Sequence, residues 1–560
     1  MTLVKLLEDA FEAHRAQPAL RCMGSTLTYQ QLNKYSEALA AYLQGLGLET
    51  GSRVAVMLPN LPQHPISIAA VLRAGFILVE VNPLLTPREL AHQIKDSGAT
   101  AVIVLENFLD RLEQVLPQTD LRLVIQTAVG DAMGIRGRLI TALVRHVKRQ
   151  VPKVDLKGVR VARWPQAMRL GQTRPYTRPS CQPEDLAVLQ YTGGTTGWTK
   201  GAMLTHANLV ANIEQASVFL RPVLQPGVAG GQPLVMLCAL PLFHIFALTI
   251  CFLMGTRLGL QNLLVPNPKD LPALIKLLGR EPVHLFPGVN SLFLALMNHP
   301  GWKTLKMPHL RLCLGGGMAV TRAVAEAWQR DTGRPLLEGY GLSETSPVVA
   351  ATPVACEHFM GHVGLPLEGT EIRILTEGGH GAASGEVGEI AVRGPQVMRG
   401  YWGRPRETRA AFTSDGFFKT GDLGCLLADG SLQILDRKKD MIIVSGFNVY
   451  SAEVERQINL HPNVLESAVI GLPDPVTGER VVAYLVQREP LTSNELDRHC
   501  RERLAAYKCP KAFVMLESLP KSAVGKILKR ELRPSSSQPA DADPAAPLPQ
   551  IKAPFEDIKK

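Results

Sequence analysis

Paired cysteines are missing from this sequence. Nine cysteines are scattered singly along 560 residues, with no Cys-x-x-Cys pair. This scatter argues against a structural zinc site and against a disulfide framework, because both need cysteines at regular spacings. We therefore expect a reducing, cytoplasmic compartment. The length implies more than one domain and enough apolar residues for a large core.

A signal peptide and a clear membrane span are also missing. Acidic residues interrupt residues 1–11, and the apolar positions there predict one face of a helix instead. The apolar run 234–255 is long enough to span a bilayer. However, Pro241 would split it, and an unpaired His244 would be costly in lipid. We interpret the run as a buried strand and helix, with a transporter as the alternative.

Acidic residues are scarce in one part of the chain. Residues 131–180 contain twelve Lys or Arg but only two acidic residues, Asp131 and Asp155, so this stretch alone carries a formal charge of +10. The net charge of the whole chain is also +10, which leaves the remainder near neutral. A nucleic-acid binder is one alternative. We expect no nucleic-acid partner, because few aromatic residues (Trp164 and Tyr176) are interleaved with these charges.

Residues 138–149 have an amphipathic helical pattern. At about 100° per residue, positions 139, 140, 143, 144 and 147 cluster on one side, and Arg138, Arg145, Lys148 and Arg149 on the other. Two interpretations stay open. The helix could lie on an anionic membrane surface, which would give peripheral contact through residues 136–163. Alternatively, its apolar side packs on its own domain and its basic side faces water.

Strand and helix patterns alternate through the first half of the chain. Thr28 is a predicted N-cap for a helix that ends near residue 43, and Thr86-Pro87 is predicted to open another helix. Residues 53–58 and 101–105 are predicted to form strands. Such alternation predicts an α/β fold whose largely parallel sheets are covered by helices on both faces.

The pattern changes towards the C-terminus. Residues 371–436 show short strands with Gly-rich turns, typical of a small β-subdomain, and 437–533 predict a small α+β domain. Six prolines and three consecutive serines predict a disordered tail at 534–560. We expect an N-terminal domain over 1–436, a mobile C-terminal domain over 437–533, and this tail.

The stretch Tyr191–Gly201 combines four glycines, interleaved threonines and Lys200. Glycines let a backbone approach a ligand closely, and successive N–H groups can form a concave site for an anion. The Gly-Lys-Ser/Thr of a Walker A loop is missing. We therefore predict a different type of phosphate loop, most naturally for a nucleotide.

Six stretches then match one family in chain order. They are Tyr191–Gly201, Pro241-Leu-Phe-His244, Tyr340-Gly-Leu-Ser-Glu-Thr345, Thr420-Gly-Asp422, Asp436-Arg-Lys-Lys-Asp440 and Pro520-Lys-Ser-Ala-Val-Gly-Lys526. Together they resemble the motifs of adenylate-forming enzymes: acyl-CoA synthetases, luciferases and peptide-synthetase adenylation domains. The resemblance spans roughly residues 25–533. Residues 415–422 and 436–450 look most like those of bacterial long-chain fatty acid–CoA ligases.

The resemblance implies a reaction in two steps that feeds fatty acid degradation. A fatty acid carboxylate would attack the α-phosphorus of ATP and release pyrophosphate, and the coenzyme A (CoA) thiol would then displace AMP. Negative oxygens crowd together in the first step, so catalysis rests on positioning and charge neutralisation. An acyl-AMP ligase that serves a carrier protein and a short-chain or aryl-CoA ligase stay open, as does a homodimer.

The resemblance also implies roles for individual residues. Lys526, Glu344, His244 and Arg437 would be catalytic, and Glu344 with Thr195 would hold Mg²⁺. The implied ATP and AMP contacts are Thr192, Gly193, Gly194, Thr195, Thr196, Gly197, Lys200, Gly315, Gly316, Gly317, Glu338, Gly339, Tyr340, Gly341, Ser343, Asp422 and Arg437.

The second step implies a moving domain. The C-terminal domain would rotate about Lys439 and exchange Lys526 for residues 442–448, with Ser445, Gly446 and Phe447 lining a CoA tunnel. Three positions depart from the family pattern: Trp198 in the loop, Phe417 in place of tryptophan, and Lys419 in place of histidine. They leave the reaction class unchanged and the preferred acyl chain length open. The apolar runs 243–252 and 286–296 could line an acyl tunnel.

Overall fold

The computed structural model describes residues 1–192, 199–225, 231–522 and 525–533. The chain divides into two compact units. The first comprises Met1–Thr420 with Cys425–Gln433, and the second comprises Gly421–Gly424 with the chain from Ile434 onwards. The domain boundary after residue 436 stays a prediction, and the predicted tail lies outside the described residues.

The described elements alternate between strand and helix. The strands are β1 (Pro18–Cys22), β2 (Ser25–Thr28), β3 (Arg53–Met57), β4 (Ile77–Glu80), β5 (Ala101–Leu105), β6 (Leu123–Thr127), β7 (Arg160–Arg163), β8 (Leu186–Thr192), β9 (Lys200–Thr205), β10 (Val235–Cys238), β11 (Gln261–Leu264), β12 (Val283–Gly288), β13 (Leu312–Gly316), β14 (Leu336–Gly341), β15 (Val348–Ala351), β16 (Leu365–Pro366), β17 (Glu371–Leu375), β18 (Gly388–Arg393), β19 (Phe418–Leu426), β20 (Leu432–Arg437), β21 (Ile442–Val444), β22 (Phe447–Val449), β23 (Val464–Asp474), β24 (Gly478–Gln487) and β25 (Ala512–Met515). The α-helices are α1 (Leu3–Ala13), α2 (Tyr29–Gln44), α3 (Gln63–Arg73), α4 (Pro87–Ser97), α5 (Leu109–Val115), α6 (Gly134–Ala142), α7 (Trp164–Gln172), α8 (His206–Leu224), α9 (Gly255–Arg257), α10 (Leu271–Leu278), α11 (Asn290–Asn298), α12 (Arg322–Thr332), α13 (Pro405–Ala411), α14 (Ser451–Ile458) and α15 (Ser493–Arg501). Short π-helical segments span Leu143–Val147 and Ala247–Met254.

Two large sheets form the core of the first unit. The nine-stranded sheet has the order β16-β15-β14-β13-β12-β10-β11-β1-β2, and the seven-stranded sheet has the order β7-β6-β5-β3-β4-β8-β9. Strands β10, β12, β13 and β14 run parallel, so their carboxyl ends meet at one edge. The predicted α/β class with largely parallel sheets is confirmed.

Local sequence signals explain where several helices begin. Thr28 and Thr86 each accept a hydrogen bond from the third helical N–H, and the side chain of that residue, Gln31 or Glu89, bonds back to the cap backbone. Both caps therefore form the capping box that satisfies exposed N–H groups. The N-terminal helix α1 buries Leu3, Leu6, Leu7, Ala10 and Phe11, as the apolar spacing predicts.

The apolar run 234–255 is a buried strand followed by a helix, as predicted. Strand β10 occupies Val235–Cys238, and all residues of the π-helical segment Ala247–Met254 are buried in the core. Across the residues with described structure, no helix has the length and apolar character needed to cross a membrane.

The other predicted tunnel segment, 286–296, lies in a packed aromatic cluster. Phe293 and Phe286 contact Trp328 edge-on with ring centroids 4.7 and 5.5 Å apart, and Trp302 lies 5.1 Å from Trp328. Phe286, Phe293 and Trp328 are at most 1% exposed. These side chains therefore fill the core of the first unit.

Shorter strands follow the large sheets. Strands β17 and β18 pair antiparallel, and a four-stranded sheet has the order β17-β18-β19-β20. The second unit contains its own sheet, ordered β22-β21-β24-β23, in which β25 pairs parallel with β24. Helix α14 contributes buried Val454 and Ile458, and helix α15 contributes buried Leu496 and Cys500, to the core of this unit.

Candidate active site

Glycines lie at the carboxyl ends of the adjacent strands β13 and β14. The strand register sets Gly315 beside Glu338 and Gly316 beside Gly339. A Cβ added to Gly316 would lie 2.9 Å from the ring of Phe246, and Gly317 has φ +75°, which favours glycine. Because open α/β sheets bind ligands at this edge, the two glycine segments suit a ligand that lies close to the backbone.

The side chains around these glycines are largely buried. Tyr340 is 8% exposed at the end of β14. One carboxylate oxygen of Glu338 accepts the Val320 N–H at 3.1 Å, which holds the turn after β13. Ser343 begins a short 3₁₀ turn, Ser343–Thr345, that carries Glu344. The structure thus gathers the predicted residues of both strand ends at one edge.

Glu344 forms the centre of a polar cluster in the first unit. Its Oε1 accepts a hydrogen bond from the Tyr401 hydroxyl at 3.0 Å and lies 3.5 Å from Thr192 Oγ1. Burial, and secondly the Glu344 charge, raises the pKa of Tyr401. The phenol therefore keeps its proton and remains a donor to the carboxylate.

Lys200 lies next to this cluster. It is the register partner of Thr192 across β8 and β9, it forms an ion pair with Glu407, and its Nζ lies 5.3 Å from the Tyr401 ring centroid. The two ends of the predicted phosphate loop therefore stand side by side. Its middle residues, which include the predicted sites Gly193, Gly194, Thr195, Thr196 and Gly197 together with Trp198, lie outside the described residues.

The segment 399–404 brings Tyr401 to this position. The Met203 N–H donates to Gly400 O at 2.9 Å and the Trp402 N–H to Gly201 O at 2.8 Å, so the segment extends the edge of β9. Arg404 then forms an ion pair with Asp96 at 2.8 Å. Backbone pairing therefore fixes the phenol relative to the carboxylate of Glu344.

His244 follows strand β10 and is half-buried. Its Nδ1 accepts the Phe246 N–H at 3.3 Å, so a neutral ring carries its proton on Nε2. Gln190 donates to the neighbouring Phe243 carbonyl at 3.1 Å, which ties this turn to strand β8. The arrangement holds the imidazole in one orientation.

The second unit gathers a separate set of predicted residues. Arg437 Nε lies 3.1 Å from Asp422 Oδ1, and the Asp422 side chain is only 6% exposed. Burial first, and then repulsion by Arg437 and Lys439, lowers the pKa of Lys526 from 10.5 to about 8, although Asp422 and Asp440 oppose the shift. Lys526, Arg437 and Asp422 are therefore electrostatically coupled within this unit.

The predicted hinge and CoA-tunnel residues lie in turns of the same unit. Lys439 is exposed in the turn between β20 and β21. Ser445 (φ +50°) and Gly446 (φ +83°) form the two-residue hairpin turn between β21 and β22. Phe447 is 59% exposed and stacks on Tyr507 with ring centroids 5.0 Å apart.

The unusual Phe417 has a structural explanation. Two guanidinium groups lie over its buried ring, with the ring centroid 4.0 Å from Arg373 Cζ and 4.5 Å from Arg393 Cζ. Cation–π attraction stabilises such a stack, and a phenyl ring suffices for it. Lys419, two residues after Phe417, lies in strand β19.

A magnesium ion fits the donors around Glu344. One carboxylate and nearby hydroxyl oxygens are hard ligands, and Mg²⁺ in nucleotide sites takes most remaining ligands from phosphates and water. Within the described ranges, no group of three or more His, Cys, Asp or Glu side chains could hold a metal by itself.

Known protein families match both parts of the chain. Residues 7–402 match the AMP-binding enzyme family, and residues 453–526 match the AMP-binding enzyme C-terminal domain. The chain belongs to the AMP-binding enzyme family. The resemblance to adenylate-forming enzymes is thereby confirmed.

This AMP-binding enzyme has similar relatives over nearly its whole length. It is 48% identical over 547 residues to a long-chain-fatty-acid–CoA ligase of Yersinia pestis, covering 97% of this chain and 96% of that protein. It is 43% identical over 535 residues to one of Haemophilus influenzae, covering 95% and 94%. The crystal structure of ATP-bound MatB from Rhodopseudomonas palustris matches with a TM-score of 0.82 at 27% identity, covering 95% and 98%.

Sequence reasoning missed three residues that contact the candidate site of this AMP-binding enzyme or the segment beside it: Tyr401, Glu407 and Asp96. Tyr401 lies 57 residues after Glu344, and Glu407 lies over 200 residues after its partner Lys200. The only local signal was an aromatic pair between glycines, Gly400-Tyr-Trp-Gly403. Such a pair indicates a turn but gives no partner.

Proposed function

We propose that this enzyme activates a medium- to long-chain fatty acid to its CoA thioester through an acyl-adenylate, with release of AMP and pyrophosphate. The observation that carries the proposal is the 43–48% identity, over almost the full length, to proteins named long-chain-fatty-acid–CoA ligases. ATP and CoA are the co-substrates expected of this family. The product would feed fatty acid degradation.

In the first half-reaction, the first unit would bind the triphosphate. Thr192 and Lys200 stand at the two ends of the phosphate loop, and Glu344 would hold Mg²⁺ with help from Thr195. Bound Mg²⁺ would neutralise charge on the phosphate oxygens. Tyr401 would orient Glu344 through its 3.0 Å hydrogen bond. The glycines at the ends of β13 and β14 would admit adenine beside Tyr340.

Residues of the second unit would complete the same step. Asp422 would accept hydrogen bonds from the ribose hydroxyls, with Arg437 fixing its carboxylate through the 3.1 Å ion pair. Protonated Lys526 would bridge the fatty carboxylate and the α-phosphate as charge develops between them. A positive charge at that position stabilises the transition state more than the ground state.

In the second half-reaction, the CoA thiol would attack the acyl carbonyl and AMP would leave. We propose that the second unit rotates about Lys439 for this step, so that the hairpin of Ser445, Gly446 and Phe447 replaces Lys526. Hinge residues of this kind lie in turns that absorb backbone rotation. The exposed turn around Lys439 supports this assignment.

Two further partners belong to the proposal. The basic segment 136–163 would give peripheral contact with the anionic inner face of a membrane, because anionic headgroups attract clustered Lys and Arg side chains. A homodimer stays a prediction.

The test is a product assay on the purified chain. Incubation with ATP, Mg²⁺, CoA and acids from butyrate to stearate should yield acyl-CoA, AMP and pyrophosphate, with the best rates for the longer acids. No acyl-CoA from any acid would refute the proposal. Adenylate formation without CoA transfer would favour a ligase that serves a carrier protein, and preference for short or aromatic acids would favour the other alternative.

A further inference from the structure

Helix α6 and the π-helical segment after it pack on the first unit through unusual residues. Gly137 is buried so close to Gly130 that an added Cβ would lie 1.9 Å from the Gly130 oxygen. The Gly130 N–H donates to the buried Thr141 hydroxyl at 3.1 Å. Arg145 makes a two-pronged ion pair with the buried carboxylate of Glu106, at 2.8 and 2.6 Å. Residues 137, 141 and 145 therefore form the packing face, and Ile140 beside them packs against the core.

Large aliphatic side chains occupy the opposite face. Residues 135, 139 and 143 precede the packing residues by two positions, which is a rotation of about 200°. Ile135, Leu139, Leu143 and Val147 are accordingly 79%, 70%, 45% and 72% exposed. We call these four residues the aliphatic stripe. Within these thirteen residues, four large apolar side chains face solvent on the same side of the helix. Such a patch is typical of an interaction surface.

The sequence allowed two interpretations of this helix, and the structure decides one part of the question. Ile140 packs against the core of the first unit, as the second interpretation expects, but Leu139, Leu143 and Val147 are exposed, so that interpretation is wrong for these three residues. Arg145 does not lie on an open basic face either, because it is paired with Glu106. An exposed methionine, Met23, lies on the turn whose Gly24 carbonyl accepts a hydrogen bond from Arg136 at 2.8 Å.

Exposed cations surround the aliphatic stripe along the chain. Besides Arg145, which is paired with Glu106, eight Lys and Arg side chains of segment 136–163 are exposed: Arg136, Arg138, Lys148, Arg149, Lys153, Lys157, Arg160 and Arg163. Only Asp155 carries a negative charge in this segment. An apolar stripe with cations around it matches the interfacial helix that inserts into a lipid surface.

We propose that the aliphatic stripe inserts into an anionic bilayer, with the surrounding cations binding its headgroups. Electrostatics disfavours a second copy of the chain, because two such patches would bring like charges together. A nucleic acid would bind the cations through its phosphates, but it would not bury the four exposed aliphatic side chains. The inference deepens the membrane contact proposed above and is independent of the acyl-CoA chemistry, so each can fail separately.

The test is co-sedimentation of the full-length chain with two kinds of vesicle, one of pure phosphatidylcholine and one that also contains anionic phosphatidylglycerol. Fatty acid is left out of both samples. The native chain should bind the anionic vesicles and retain part of its binding at high salt. Leu139→Gln/Leu143→Gln should reduce partitioning by about tenfold for each leucine. Arg138→Gln/Lys148→Gln/Arg149→Gln should reduce it by about fivefold for each charge, and only at low salt.

Matched control variants carry the same changes elsewhere. Leu365→Gln/Leu460→Gln alters two other exposed leucines, 42% and 52% exposed. Lys276→Gln/Lys303→Gln/Lys306→Gln removes three other exposed charges. Both controls should bind vesicles like the native chain. Acyl-CoA formation from a water-soluble acid without vesicles should be unchanged in all four variants, which also shows that each one folds.

Several outcomes would overturn the inference. Native-like vesicle binding by the double leucine variant would show that the aliphatic stripe does not insert. If the native chain lost all of its vesicle binding at high salt, the binding would be electrostatic adsorption to the headgroups, without insertion of the aliphatic stripe. A dimer that dissociates in the double leucine variant, or equal retention on duplex DNA and on vesicles, would assign the surface to a different partner.

Discussion

Changing the pH tests the role proposed for Lys526. Burial and the charge of Arg437 lower its pKa to about 8, against an ordinary 10.5. At pH 7 the amine is then about 90% protonated, and above pH 8 the protonated fraction falls about tenfold per pH unit. If the charged form is required, kcat/KM for adenylate formation in the free enzyme should follow the same fall.

The assay should isolate the first half-reaction. Pyrophosphate release from ATP and palmitate, measured without CoA under single-turnover conditions from pH 6.5 to 10, avoids titration of the CoA thiol. Saturation with ATP should move the falling limb to higher pH, because phosphates close to Lys526 favour its charged form. The falling limb of the single-turnover rate constant should therefore lie at higher pH with saturating ATP than with ATP far below saturation.

Lys526→Arg is the decisive variant for this pH dependence. Arginine keeps its charge throughout the range, so the falling limb near pH 8 should disappear even if the rate is lower. Arg437→Gln removes a repulsive charge and should move the limb to higher pH. Retention of the same limb in Lys526→Arg would assign it to another group and refute the reasoning.

The remaining predictions test other parts of the site and the core. Lys526→Ala should abolish adenylation yet leave CoA transfer from supplied palmitoyl-adenylate largely intact. Equal loss of both half-reactions in quenched-flow assays would contradict the rotation about Lys439. Tyr401→Phe removes a hydrogen bond to the charged Glu344, so adenylation should fall by about tenfold or more and the Mg²⁺ requirement should rise in metal titrations. Phe293→Ala should lower the free energy of unfolding by about 3–5 kcal/mol in urea titrations, because it leaves a cavity beside Trp328, and a loss under 1 kcal/mol would contradict the packing described.

Local rules predicted those parts of the fold that depend on neighbouring residues. Thr28 and Thr86 cap their helices because both partners of each capping box lie within three residues. The glycines at the ends of β13 and β14 were predictable as well, because each glycine segment directly follows an apolar strand pattern in the sequence. The register that sets Gly316 beside Gly339 was not, since it arises from packing of the whole sheet.

The candidate site shows the same limit. Family motifs predict Glu344 as a site residue, but Tyr401, which donates a hydrogen bond to it, comes from a strand-like segment paired to β9 through backbone groups. Backbone pairing carries no side-chain signature, so neither Tyr401 nor its partner could be read from spacing. Phe417 is similar: its departure from tryptophan becomes understandable only once the guanidinium groups of Arg373 and Arg393 are seen to stack on its ring.

The helix around residue 140 explains why an amphipathic pattern alone could not choose between membrane and core. The usual rule assigns the apolar side to the interior. Here Ile140 follows that rule, but the helix is also anchored by three other residues: Gly137 and Thr141, whose small side chains permit close backbone approach, and Arg145, whose charge is matched by buried Glu106. None of these three residues signals burial in sequence. Because they already anchor the helix, the aliphatic stripe can remain exposed, and exposure of apolar surface without a structural need points to a partner.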